Sequence, residues 1–172
     1  VQVKLNLEMA VTDAMVGIAC ATRPDQATLV PEGRQELTTE GGLDVAGRET
    51  AVTDAVARLH EAGIVVSHFI DPSPEQIEAA ARTGAEAVEF HTGEYANAAG
   101  LETRTRELAR LADGAERARA LGLIVHAGHG LTYTNVAPVA AIAGMGELNI
   151  GHSIICRAVF VGLREAVREM AR

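Results

Sequence analysis

Residues 63–76 read Gly63-Ile64-Val65-Val66-Ser67-His68-Phe69-Ile70-Asp71-Pro72-Ser73-Pro74-Glu75-Gln76. The apolar, β-branched run Ile64–Ile70 is a strand. Ser73 is placed to cap a helix, Pro74 suits its first turn, and Gln76 stands three residues past the cap. Gly63 follows a helical pattern, where a left-handed C-terminal cap is needed and glycine adopts it freely. A strand that runs straight into a capped helix is one βα unit. Working outward, the same unit recurs along the chain. The predicted strands are Val1–Met9, Ala27–Pro31, Ile64–Ile70, Ala87–His91, Leu123–Ala127 and Glu147–Gly151. The predicted helices are Thr12–Thr22, Arg48–Ala62, Pro74–Arg82, Thr103–Leu121, Thr134–Ile142 and Ser153–Ala171.

Alternating strands and helices predict an α/β chain with a parallel sheet. Six units of this size scale to about 230 residues for eight, close to a (β/α)8 barrel. The chain opens on Val1, already inside a strand, so we expect a single domain, residues 1–172, holding the six C-terminal units of a (β/α)8 TIM barrel. Its first strand should then show an edge without a partner. The rival is a complete doubly wound sheet, which predicts a glycine-rich phosphate loop after the first strand. That position reads Leu7-Glu8-Met9-Ala10-Val11-Thr12, without glycine.

The 172 residues are 48% hydrophobic and 22% charged, and no apolar run approaches the ~18 residues that suggest a membrane span. Cys20 and Cys156 show no paired spacing. We therefore expect a soluble, cytoplasmic chain that does not bind membranes. A net charge of −8, 3% aromatic content and no Trp argue against nucleic acid, which needs basic surface and stacking residues. Phosphorylated metabolites remain compatible, because a helix N-terminus holds phosphate with backbone N–H groups. Lys4 is the only lysine among the 15 basic residues. It lies near the start of its strand, which disfavours Schiff-base chemistry.

In a βα barrel, reactive groups gather at the C-terminal ends of the strands. Those ends offer Asn6 and Glu8, His68 and Asp71, Glu89 and His91, His126 and His129, and Asn149 and His152. Only His60, of six histidines, falls in a helix. In the first strand, Val3, Leu5, Leu7 and Met9 alternate with Lys4, Asn6 and Glu8, which sends Glu8 inward. An ordinary edge strand would alternate in the same way. Glu89, between Val88 and Phe90, is the stronger signal, since a carboxylate within a covered strand is costly unless paired or functional. His129, in the glycine-rich stretch Gly128-His129-Gly130, is the better proton-transfer candidate. His126, still on its strand, is equally well read as structural. The roles of His68, His91 and His126 stay open. Gly151-His152-Ser153 opens the last helix, where barrels often bind phosphate. The polar loop from Glu32 to Gly47 contains Thr38-Thr39-Glu40-Gly41-Gly42 and suits a ligand-covering role. No HExxH-like spacing supports a metal.

Together these segments resemble the pyridoxine 5′-phosphate synthase family. The matching stretches are Asn6-Leu7-Glu8-Met9-Ala10, Val30-Pro31-Glu32 with Thr38 to Asp44, Glu89-Phe90-His91-Thr92-Gly93, Ala127 to Tyr133, and Glu147 to His152. The resemblance implies a cytoplasmic, homo-oligomeric barrel without metal or cofactor. It would condense 3-amino-2-oxopropyl phosphate with 1-deoxy-D-xylulose 5-phosphate, releasing phosphate and water. It also implies that Glu8 accepts a proton, His129 donates one and Glu89 stabilises the transition state. Thr38 would contact the deoxyxylulose phosphate, and Gly130, Gly151 and His152 the aminooxopropyl phosphate. The family's first two strands, with an Asn-x-Asp-His segment and a second base histidine, have no counterpart in this sequence. The alternatives are a metal-dependent sugar-phosphate isomerase or epimerase on the same barrel, and a non-catalytic truncated barrel.

Overall fold

The computed structural model describes residues 2–32 and 41–172. Six strands, β1 (Asn6–Ala10), β2 (Gln26–Val30), β3 (Val65–Ile70), β4 (Ala87–His91), β5 (Ile124–Gly128) and β6 (Met145–Asn149), form one sheet in the order of the sequence. Every neighbouring pair is parallel. A sheet that adds each strand beside the last, without reversal, is the barrel topology and excludes the doubly wound alternative, whose strand order crosses over. Among the described residues, β1 pairs only with β2 and β6 only with β5, so both are edges. The sheet curls nonetheless: Lys4, just before β1, reaches Glu147 on β6 with Nζ to Oε2 at 3.4 Å.

The two faces of the sheet differ as parallel βα architecture requires. Met9, Leu29, Val66, Ile70, Val88, Phe90, Val125 and Ala127 are buried. They form one core with Val16, Val52, Val56, Leu59, Ile77 and Leu111 of the surrounding helices. Those helices are α1 (Asp13–Thr22), α2 (Glu49–Glu61), α3 (Pro74–Arg82) and α5 (Leu101–Ala120), with α4 (Gly93–Asn97), α6 (Val136–Ala140), α7 (His152–Val161) and α8 (Leu163–Met170) completing the set. The inner face is polar, with Asn6, Thr28, Ser67, Glu89, His126, Glu147 and Asn149.

Three local readings need correction. The predicted helix Ser153–Ala171 is broken into α7 and α8 at Gly162, whose φ of 82° is incompatible with a continuing helix. His68 does not face the interior. It is fully buried toward the helices, with Nε2 2.8 Å from Thr83 Oγ1 at the end of α3, and burial pulls its pKa down to about 4. Finally, only half of the expected capping box forms. Ser73 Oγ accepts from the Gln76 backbone N–H at 3.4 Å, but the Gln76 side chain turns to the long loop instead. Its Oε1 accepts from the N–H groups of Val45 and Ala46 at 2.8 and 3.1 Å, and its Nε2 donates to Asp44 at 2.8 Å.

This division of labour sets an order of stabilities. Ser73→Ala loses one long capping bond and should cost about 0.5–1 kcal/mol. Gln76→Ala strands two backbone donors and should cost about 2 kcal/mol. Urea denaturation of both variants checks this: Gln76→Ala must show the lower midpoint.

Candidate active site

The C-terminal ends of β4, β5 and β6 bring together most of the residues singled out above. Glu89 lies at the centre, 4% exposed. Its register neighbour on β5 is His126, and two residues further along the same faces His91 stands beside Gly128, which stands beside Asn149. Asn149 Nδ2 donates to Glu89 Oε2 at 2.6 Å. Gly128 makes room for the carboxyl, since a Cβ there would sit 2.3 Å from Glu89 Oε1. Burial dominates the electrostatics and pushes the Glu89 pKa up to about 7. The Asn149 hydrogen bond pulls the other way, and the charges of Glu8 and Glu147 add to the rise.

Glu8 projects from β1 as an exposed carboxylate. By strand register it shares the inner face of the sheet with Glu89, and its charge raises the proton affinity of both Glu89 and His129. His129 follows β5 in a left-handed conformation, φ 81°, unusual for a residue with a side chain. Thr92 holds it there: its Oγ1 lies 2.8 Å from the carbonyl oxygen of Gly128 and 2.5 Å from that of His129. Burial, then the neighbouring His91, lower the pKa of His129, against an opposing pull from Glu8.

Gly130 also has a positive φ, 75°, and a Cβ would meet Ala96 at 2.7 Å, so the turn needs glycine. Ser153 Oγ donates to the carbonyl of Leu131 at 2.8 Å. This bond joins the His129–Leu131 turn to the start of α7, so Gly130, Gly151 and His152 share one rim. Gly151 precedes α7, and a Cβ there would meet nothing within 4 Å. Backbone N–H groups at this 10-residue helix's start suit an anion. Thr38 lies outside the described residues.

Four residues that the sequence left without a role belong to the site. Asn149 is the partner of Glu89. His91 and Asp71 pair at 3.3 Å, Nδ1 to Oδ1, beside His129. His126 lies deeper on the inner wall, where burial lowers its pKa, with Glu147 raising it and Lys4 lowering it. Lys4 itself is at the opposite end of the strands from His129. Among the described residues no group of three or more His, Cys, Asp or Glu side chains is placed to hold a metal ion. A groove of about 970 Å³ between α3 and α5, lined by Ile77, Ala109, Gly114 and Arg117 among others, lies outside the helix layer and contains none of these groups.

The Glu89 environment has a measurable consequence for stability. A carboxyl whose folded pKa is raised binds more protons when folded than when unfolded between its ordinary value near 4.5 and about 7. Stability therefore falls as pH rises through that window. Glu89→Gln removes the penalty, so its stability relative to the parent should be higher at pH 8 than at pH 4.5, by roughly 2–3 kcal/mol from the size of the shift. Thermal melts of both proteins at the two pH values test this; a pH-independent difference contradicts it.

Known proteins resemble this chain along its whole length. The family model "Pyridoxal phosphate biosynthesis protein PdxJ" matches residues 1–172. Pyridoxine 5′-phosphate synthase of Trichlorobacter lovleyi is 60% identical over 170 residues, covering 99% of this chain and 71% of the relative. The same-named protein of a Synechococcus species is also 60% identical with the same coverage. That of Dechloromonas aromatica is 56% identical over 176 residues, covering 98% of this chain and 70% of its own. Among solved structures, a xylose isomerase domain protein from Planctomyces limnophilus aligns with a TM-score of 0.61 at 15% identity, covering 98% of this chain and 70% of that one. Endonuclease IV from Thermus thermophilus aligns at 0.52 and 12% identity, covering 98% and 72%. At such identities these two speak to the α/β barrel fold alone. The match along the full 172 residues places the chain in the pyridoxal phosphate biosynthesis protein PdxJ family.

Proposed function

We propose that this chain carries the catalytic end of a pyridoxine 5′-phosphate synthase, condensing 3-amino-2-oxopropyl phosphate with 1-deoxy-D-xylulose 5-phosphate and releasing phosphate and water. The observation that carries this reading is that Glu8 and Glu89 share the inner face of the sheet while the turn holding His129 is tied to the Gly151 helix start. Relatives bearing that enzyme's name at 56–60% identity support it.

Ring formation needs protons removed and returned at several atoms, without a strong nucleophile from the protein. Glu8, exposed and unencumbered, takes a proton from the substrate. His129 donates one to a departing oxygen; with its pKa lowered, it gives up its proton readily. Glu89, titrating near neutrality, stabilises the transition state: in its protonated form it donates a hydrogen bond to developing negative charge. The backbone at Gly130 and Gly151, with His152, holds the aminooxopropyl phosphate, and Thr38 contacts the other substrate. The imine forms between the two substrates, so Lys4 has no covalent role, in keeping with its ion pair to Glu147. No metal or cofactor takes part. A cytoplasmic location and homo-oligomeric assembly belong to the same proposal.

Two variants test the roles. Glu8→Gln keeps size and hydrogen bonding but removes the base, so turnover of the two substrates to the pyridine product should fall roughly 10²-fold or more. Near-normal turnover would remove Glu8 from the mechanism. A Cβ at position 151 would meet nothing within 4 Å, so Gly151→Val should fold, yet it fills the approach to the α7 N-terminus. Calorimetric titration with 3-amino-2-oxopropyl phosphate should show weakened binding in this variant and parent-like binding in Arg58→Gln, whose charge sits on the outer helices against Asp13. Equal affinity in Gly151→Val and the parent would put the phosphate elsewhere.

A further inference from the structure

We propose that Asp71 and His91 form a positioning pair for His129, with Asp71 anchoring the His91 ring and His91 setting the orientation and proton affinity of the His129 ring. The inference rests on the proton-donor role given to His129 above.

The geometry begins with burial. His91 is 4% exposed, on the inner face of β4. Its Nδ1 lies 3.3 Å from Asp71 Oδ1, while Nε2 is buried without a protein partner among the described residues. Gly93 allows this seat, because a Cβ there would stand 2.5 Å from Nε2. Asp71 is held in turn by the backbone N–H of Gly42, at the base of the long loop, and its pKa is lowered first by the His91 hydrogen bond. The ring so fixed meets His129 edge-on, with centroids 5.2 Å apart at 65°. Phe69 closes the triangle at 5.4 Å from His91 and 5.6 Å from His129. His129 makes no side-chain hydrogen bond to the described residues. Its backbone is pinned by Thr92, and its ring is oriented by these two aromatic edges.

A carboxylate that orients one imidazole, which then orients and biases a second, is a way to hold a proton donor in a mouth open to solvent. Around His91 the other charged groups are Glu94 on α4 and Glu107 and Arg110 on α5, which line the small space beside it with Asp71. Around His129 they are His91 and, from β1, Glu8. Arg110 and Glu107 are themselves paired at 3.2 Å. Asp71 is thus the carboxylate hydrogen-bonded to His91.

The test is an NMR pH titration of the histidine ring signals in the parent protein, His91→Gln and Asp71→Asn, without substrate. The neighbouring His91 ring disfavours protonation of His129, so its removal should raise the His129 midpoint, by roughly a few tenths of a pH unit for two rings this close. Asp71→Asn keeps both rings and strips the anchor of its charge, which weakens its hold on His91, so nuclear Overhauser contacts between the rings should weaken and the His129 ring shifts should move. If His91→Gln does not fold, Asp71→Asn, altered at a half-exposed side chain, decides alone. An unchanged His129 midpoint in folded His91→Gln, or unchanged ring contacts and shifts in Asp71→Asn, overturns the proposal. Because no turnover is read, this failure is distinct from failure of the condensation itself.

Discussion

One carboxyl group buried on the inner wall of a parallel sheet sets the conditions for everything around it. Glu89 cannot reach bulk water, and a single strong donor, Asn149, does not offset the loss of hydration. The protein tolerates the group by placing Gly128 opposite its oxygen and by letting its proton affinity rise until the neutral form is populated. Directly after Gly128, the left-handed backbone of His129 and Gly130 turns the chain out of β5. The same turn is tied to the start of α7 through Ser153. Glu89, the His129 turn and the start of α7 are linked through one packing problem solved in one place.

The sheet makes such a place available. Each strand gives its apolar side to the helices, so hydrophobic burial is collected outside the sheet, and the inner side is free for Asn6, Thr28, Glu89, His126 and Asn149. Parallel order sends every C-terminal end to the same rim. Groups far apart in the chain, Glu8 and His129 for example, come to share one electrostatic environment. Lys4, ahead of β1, pairs with Glu147 on the inner wall, leaving the rim free of a lysine.

Much of this was legible in the sequence where periodicity or chemistry admitted one answer. The polar alternation of β1 placed Glu8 inward, Glu89 and His91 shared a face by spacing, and Ser73-Pro74 marked the start of α3. The rest depended on contacts distant in sequence. In β3 both faces are covered, so Val65-Val66-Ser67-His68-Phe69-Ile70 shows no alternation, and the larger apolar residue Phe69 is the one that turns inward while His68 joins the helices. Gly162 sits in an apolar helical pattern that continues on either side, and only its φ reveals the break. Gln76 had a local use available at its own cap and took a longer-range one at residues 44–46. Asp71 and Asn149 were visible only as strand-end residues until their partners, His91 and Glu89, were placed beside them.

If burial of Glu89 governs the chemistry of this rim, its ionisation must be observable directly. Selective ¹³C labelling of glutamate side chains and a carboxyl-shift titration, with Glu89→Gln to assign the signal, reads that ionisation. A midpoint near 7 is the expected result. A midpoint near the ordinary glutamate value of 4.5 would mean that the carboxyl is solvated or fully paired, and would contradict the central role given to its burial.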